Sequence, residues 1–301
     1  MDNLISVVIP CYNVENYIVK CLESVLSQSH GNLEVIVVND GSTDGTADRI
    51  KPYLTDKRVV YMNRPNAGVS AARNAGTDAA RGDFLAFADS DDFLAPDMYE
   101  RLYAAVREAG ADTAVCDYNL VYEDRTVTAY SQIRDETTDV YDDVYGYFMK
   151  YCACARPNNY IWTRLYKTEI VKKSGVRFEP YRIGDDTLFN FKLLPHIRRV
   201  VFVAGGLYNY LQRSDSNVYT FANKGNPAEV YADTFQALAD YYRENDCKEF
   251  LAVLPIHAFT RLRSVFFYSR LAGQSDDEIL SNLASAFKER DIYRYLTGAV
   301  S

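Results

Sequence analysis

The first 120 residues alternate short unbroken apolar runs with segments of helical periodicity. Ile5-Ser6-Val7-Val8-Ile9 predicts a buried strand stopped by Pro10, and residues 33–38 a second. Between them Ile18, Cys21, Leu22, Val25 and Leu26 recur at i, i+3, i+4 spacing, the stripe of a helix with one face in the core. A Gly-Ser-Thr-Asp turn leads into a predicted helix over 44–54, and Val59-Val60-Tyr61 reads as a short third strand. An alanine-rich helix over 69–80 precedes a fourth strand over 84–88. Pro96 then opens an amphipathic helix through Tyr99, Leu102, Tyr103 and Val106, followed by Thr113-Ala114-Val115-Cys116. Continuous apolar strands alternating with helices imply an α/β fold, a Rossmann-like, mostly parallel sheet flanked by helices.

Past residue 120 the texture changes. Tyrosines crowd in, strand signals weaken, and 135–143 reads as an acidic connector. From Pro227 onward the periodicity is helical throughout, over 231–242, 250–271 and 276–290. One α/β domain is therefore expected, extended by a mixed segment over 121–225 and closed by a helical tail over 226–301. With 48% hydrophobic and 25% charged residues the chain is globular rather than disordered. Its net charge of −8 argues against a nucleic-acid-binding role, which needs a basic face. No charged-then-apolar leader opens the sequence and no run reaches membrane-spanning length, so a cytoplasmic protein is expected, with attachment to the inner face of the plasma membrane left open. Six cysteines fit no zinc spacing, Cys152-Ala153-Cys154 coming nearest, and reduced thiols are expected.

The chemistry gathers at the predicted carboxyl ends of the strands, where open parallel sheets bind ligands. In order these ends are Pro10-Cys11-Tyr12-Asn13, Asn39-Asp40-Gly41-Ser42, Arg64-Pro65-Asn66-Ala67-Gly68 and Asp89-Ser90-Asp91-Asp92. Tyr12 can stack on a base and Asp40 can accept from a ring N–H, which favours a uracil- or thymine-type base. Arg73 lies one turn inside the helix that starts near Gly68. Three carboxylates in four residues repel one another unless a cation sits among them, so the last cluster reads as a divalent-metal site meeting a diphosphate. A plain acidic turn capping the next helix is the bland alternative.

These segments together resemble family 2 glycosyltransferases. The resemblance rests on Ser6-Val7-Val8-Ile9-Pro10-x-Tyr12-Asn13, Val38-Asn39-Asp40-Gly41-Ser42-x-Asp44, Asn66-x-Gly68-x-x-x-Ala72-Arg73-Asn74-x-Gly76 and Asp89-Ser90-Asp91-Asp92, in that order. It implies the GT-A fold, with a nucleotide-sugar-binding half over 1–120, an acceptor-side half over 121–225 and the helical extension. It also implies a nucleotide-sugar donor and Mg²⁺ or Mn²⁺. Carried over residue by residue, Pro10, Tyr12, Asn13, Asp40, Asn66, Gly68, Arg73, Asp89 and Ser90 fall on the nucleotide side. Asp89 stands near the ribose and Asp91 on the metal.

The second half adds Tyr160-Ile161-Trp162-Thr163-Arg164, Gly184-Asp185-Asp186-Thr187-Leu188-Phe189 and Leu207-Tyr208-Asn209-Tyr210-x-x-Arg213-x-x-Ser216. Similar bacterial polysaccharide enzymes carry Glu-Asp-x-x-Phe at the middle motif. Here Asp185 replaces the glutamate, and Asp186 is the candidate base, although the pair also suits the cap of a helix over 187–194. Trp162, Asp185 and Tyr210 are candidates for the acceptor side. A hydroxyl attacking an anomeric carbon must lose its proton, and one carboxylate base without a second nucleophile implies inversion. The acceptor is expected to be a saccharide or lipid-linked saccharide in cell-surface polysaccharide synthesis.

In the tail, Arg261, Arg263 and Arg270 interleave with Phe259, Leu262, Val265, Phe266 and Phe267. The pattern suits a helix resting on an anionic membrane or one packed on the catalytic domain; homo-oligomerisation stays open. A dehydrogenase lacks its Gly-x-Gly-x-x-Gly here, and no phosphate-binding P-loop is present. An EF-hand starting at Asp89 would place Phe93 and Leu94 at a ligand position and at the required glycine. The non-enzyme alternative is an inactive nucleotide- or carbohydrate-binding relic of the same fold.

Overall fold

The computed structural model describes residues 3–122, 125–127, 139–147, 158–180, 184–213, 227–271 and 273–288. Strands β1 (Ile5–Cys11), β2 (Leu33–Asn39), β3 (Val59–Asn63) and β4 (Phe84–Phe87) lie parallel in the order β3-β2-β1-β4. Every residue of β1 and β2 is buried, which is why their sequences are unbroken rather than alternating. Helices α1 (Ile18–Leu26), α2 (Thr46–Ile50) and α3 (Val69–Ala79) connect them, and α4 (Met98–Ala109) follows β4. Gly76 lets α3 lie close on the sheet: a Cβ there would come within 2.3 Å of Val8 Cγ1.

Three local expectations are corrected. Strand β1 continues through Pro10 to Cys11, because β4 pairs with β1 only as far as Val8. Pro10 therefore needs no N–H on that side. The helix expected over 44–54 splits into α2 and a 3₁₀ turn, Lys51–Thr55, where Pro52 cannot donate a helical hydrogen bond. The helix after Pro96 begins at Met98, with Asp97 as its N-cap residue, so Asp92 is not its cap.

The sheet then continues with chain from the second half. β6 (Thr113–Val121) and β10 (Val200–Leu211) are parallel to each other, and β9 (Arg164–Lys167) runs antiparallel between β4 and β6. The two-residue strand β5 (Phe93–Leu94) closes that edge on β10, at Tyr208↔Leu94 and Asn209↔Phe93. Short strands β7 (Thr126–Val127) and β8 (Asp139–Tyr141) pair antiparallel with β6 and β10. Helices α5 (Val144–Tyr147) and α6 (Thr168–Ser174) link these segments.

The chain divides into two compact units, whose borders differ from those expected at 120 and 225. One unit, formed by 1–144, 160–180 and 196–212, holds the whole sheet. The other, formed by 145–159, 181–195 and 213–301, holds α7 (Asp185–Leu193), α8 (Pro227–Glu244), α9 (Lys248–Leu271) and α10 (Asp276–Lys288). Phe235, Leu238 and Tyr242 of α8 are buried, and the Tyr242 hydroxyl donates to the Phe191 carbonyl at 2.9 Å. In the tail Val265 is buried and Arg270 pairs with Asp276 at 2.8 Å. The side chains of Phe259, Arg261, Arg263 and Phe267 lie outside what is described, as do Cys152, Cys154 and Ser216. Among the described residues no helix is long and apolar enough to cross a membrane. Cys11, Cys21 and Cys116 are buried thiols outside any disulfide among the described residues.

Candidate active site

The four polar strand ends meet at one edge. The Asp40 N–H donates to the Cys11 carbonyl at 2.9 Å, so the ends of β1 and β2 leave the sheet side by side. The loops beyond them are stitched together. Asn13, at φ +51°, donates its N–H to Ser42 Oγ at 3.0 Å and accepts the Thr43 N–H at 2.8 Å. The Asp44 carboxylate accepts the N–H groups of Glu15 and Thr46, and these bonds outweigh burial to hold it below the usual carboxylate range. Tyr12, just beyond the end of β1, is 48% exposed.

Asp40 is buried, and its carboxylate is engaged within the protein. It accepts the N–H of Gly68 at 2.7 Å and of Ala67 at 3.1 Å, and Arg64 Nε lies 3.3 Å away. The arrangement pins the loop from β3 into α3. It needs glycine at 68, where φ is +91° and the N–H must point at the carboxylate. Asn66 and Gly68 are exposed beside it.

At the end of β4 the carboxylates crowd. Buried Arg73 reaches from α3 to Asp89 Oδ1 at 2.8 Å, and its guanidinium lies 5.5 Å from the centre of the Phe178 ring. Ser90 is buried within the turn, and Asp91 is half-buried. Asp92 is only 1% exposed; it accepts the Tyr208 hydroxyl at 2.9 Å and the Leu211 N–H at 2.8 Å. Burial and the neighbouring charges of Asp91 and Asp89 still push the Asp92 carboxyl well above its ordinary range. Even with Arg73 paired to Asp89, Asp92 therefore stays under the negative field of its two neighbours.

That field and donor set fit a hard divalent cation. Among the described residues no trio of His, Cys, Asp or Glu is set to hold a metal unaided. One or two carboxylates are what Mg²⁺ or Mn²⁺ takes from protein when phosphate and water fill its other positions. The nearby Cys21 thiol is pushed well up by burial and by Asp92, Asp91 and Asp89, so it stays protonated and donates to the Asp89 carbonyl at 3.5 Å. A soft thiolate ligand is thereby disfavoured.

The acceptor-side candidates fare differently. Trp162 is 2% exposed and sandwiched, with Tyr160 at 4.4 Å and 14° on one side and Tyr208 at 4.2 Å and 19° on the other. Its ring packs against these tyrosines and is closed to solvent. Tyr210 is half-buried, tilted 5.5 Å from Trp162. In the helical unit, α7 starts at Asp185 itself with Gly184 (φ +94°) as its N-cap residue. Asp185 and Asp186 thus stand in the first turn, where the helix dipole favours carboxylates, and are not the cap. Sequence reasoning missed the role of Tyr208, whose only local signal is its place in the Leu207–Arg213 motif.

Residues 6–197 match the family described as Glycosyl transferase family 2. The chain belongs to that family. It is similar to Glycosyltransferase GlyA of Streptococcus pneumoniae, at 35% identity over 72% of this chain and 32% of GlyA. It is also 33% identical to Putative glycosyltransferase EpsH of Bacillus subtilis over 73% of this chain and 64% of EpsH. The chain thus spans about a third of the one and somewhat under two thirds of the other. A solved structure of S. aureus TarS in complex with UDP-GlcNAc superposes with a TM-score of 0.74 at 22% identity, covering 98% of this chain and 82% of that one. The mannosyltransferase PcManGT of Pyrobaculum calidifontis, in complex with GDP-Man and Mn²⁺, gives 0.59 at 15%, covering 99% and 86%. The fold is GT-A, as the strand-end motifs imply.

Proposed function

We propose that this family 2 protein moves a sugar from a nucleotide-sugar, a UDP-sugar first, to a hydroxyl of a glycan or lipid-linked saccharide in cell-surface polysaccharide synthesis, with Mg²⁺ or Mn²⁺ and with inversion. The observation that carries this reading is the acidic turn at the carboxyl end of β4, where Asp89, Asp91 and Asp92 stand within four residues beside the polar ends of β1 and β2. UDP-GlcNAc bound by TarS supports a uracil base, and GDP-Man with Mn²⁺ bound by PcManGT keeps guanine donors in the test.

In this reading Pro10, Tyr12, Asn13, Asp40, Asn66, Gly68, Arg73, Asp89 and Ser90 bind and orient the nucleotide. Tyr12 offers a ring face to the base, and Asp89, fixed by Arg73, addresses the ribose. Asp91 would hold the divalent cation, which when bound neutralises charge building on the leaving diphosphate. Asp186 accepts the proton of the acceptor hydroxyl, with Asp185 beside it and Tyr210 on the acceptor side. A single displacement assisted by one base inverts the anomeric centre.

The test is a panel of UDP-, GDP- and dTDP-sugars with and without Mn²⁺, read as release of nucleoside diphosphate. Metal-dependent release with one base class is expected. Binding without release from any donor would favour the inactive relic, and a product of retained configuration would remove the inversion mechanism.

A further inference from the structure

Tyr208 lies in β10, fully buried, and its hydroxyl makes two directed bonds to the acidic turn. It donates to Asp92 Oδ2 at 2.9 Å and accepts the Asp89 N–H at 3.0 Å. A phenol has one proton to give and lone pairs to receive with, so the hydroxyl is used in both senses. Three residues on, the Leu211 N–H takes Asp92 Oδ1 at 2.8 Å. The turn closes on itself through Asp92 N–H to the Asp89 carbonyl at 3.1 Å, and Ala95 N–H reaches the Leu207 carbonyl at 2.8 Å. Both ends of Asp89–Asp92 are therefore tied to one strand.

The strand is built to deliver that hydroxyl. The β10–β6 register shifts on each side of Gly206, immediately before Tyr208, and such irregularities re-aim the side chains that follow. Asn119 Nδ2 secures the shifted segment by donating to the Gly206 carbonyl at 2.9 Å and to Asn209 Oδ1 at 3.0 Å. The Tyr208 ring is held flat by Trp162. Tyr103 provides an internal comparison. Its hydroxyl makes the same pair of bonds with Asn3, accepting the N–H at 3.0 Å and donating to Oδ1 at 2.9 Å, beside the start of β1.

We infer that Tyr208 is a positioning residue of the donor site: without touching substrate, it fixes the spacing of Asp89 and Asp91 that a metal-bound nucleoside diphosphate meets. The inference rests on the donor-site reading above.

The experiment compares wild type, Tyr208→Phe and Tyr103→Phe by calorimetric titration with UDP in the presence and absence of Mn²⁺. Each variant loses a hydroxyl with two hydrogen bonds, so similar losses of thermal stability are expected. Mn²⁺-dependent UDP affinity should fall about 10-fold in Tyr208→Phe, the equivalent of one well-placed interaction, and stay within about twofold in Tyr103→Phe. The emission of Trp162, the chain's single tryptophan, should respond to Mn²⁺ with UDP in wild type and lose that response in Tyr208→Phe. If Tyr208→Phe does not fold, Asp92→Asn, which keeps one acceptor oxygen of two, should weaken UDP binding similarly. Wild-type affinity in Tyr208→Phe, or in Asp92→Asn where that replaces it, overturns the inference alone. A wild type without Mn²⁺-dependent UDP binding overturns the donor-site reading, and this role with it.

Discussion

At the edge where the parallel strands begin, Glu34 and Asp112 are buried and satisfied. At the edge where they end, Asp89, Asp91 and Asp92 are crowded, and Arg73 pairs with Asp89. Burial alone would raise Glu34, yet bonds from Ser6 Oγ at 2.7 Å and from the Arg81 N–H at 2.9 Å and Nε at 2.6 Å hold its carboxyl below the usual range. Asp112 is likewise held down against burial by the Arg198 N–H at 2.9 Å and Lys167 Nζ at 2.9 Å. Asp92 also has two good donors, yet it is driven the other way by burial and two neighbouring carboxylates. Charge at the first edge holds the fold together. Charge at the second is crowded, and Asp92 is pushed up by it as well as by burial.

Predictions that would break this comparison rank by size. Asp186→Asn should lower kcat by about 10²–10⁴-fold while leaving UDP affinity unchanged, because a base acts mainly in the transition state. A proportionate loss of affinity would move Asp186 to the binding side. Asp91→Asn should lower metal-dependent diphosphate release by about 10²–10³-fold, in the range of losing one preorganised electrostatic contact. Unchanged release with Mn²⁺ would place the cation elsewhere. Glu34→Gln should cost about 1–3 kcal/mol in denaturant unfolding with kcat preserved, since it leaves partners at Arg81 and Ser6 poorly satisfied. An activity loss exceeding the stability loss would mean the two edges are not separate in function.

The smallest effect sharpens the same contrast through pH. The Glu34 carboxyl is lowered on folding, so its contribution is present above its unfolded value of 4.5 and is lost as pH falls through the lower folded value. Wild type should therefore lose stability on acidification below that point more steeply than Glu34→Gln, as read by urea midpoints at a series of pH values. Parallel curves would remove Glu34 from the acid-labile set.

Much of this was legible because it is local. Fully buried strands write themselves as apolar runs, and each polar strand end follows its run directly, so β1 to β4 and the acidic turn could be read off. What escaped depends on distant chain. Nothing in Arg164-Leu165-Tyr166-Lys167 announces an antiparallel insertion between β4 and β6, because that pairing is chosen by neighbours rather than by local pattern. The burial of Trp162 could not be read, because an aromatic side chain has the same letter whether sandwiched or exposed. Pro10 looked like a strand stop because its position beyond the pairing partner Phe87 is a fact of the sheet. Tyr208 gave no signal beyond its place in the Leu207–Arg213 motif, since a tyrosine in a strand is ordinary and the register irregularity beside it belongs to two strands at once.

The Tyr208–Asp92 bond joins residues 116 apart in sequence. During synthesis at about 5–20 residues per second, the acidic turn leaves the ribosome on the order of ten seconds before the strand that shapes it. For that interval the carboxylates of the turn lack the strand that holds Asp92 in place. The turn can take its folded spacing only once β10 has been made, because Tyr208 and Leu211 supply two of the bonds that tie it.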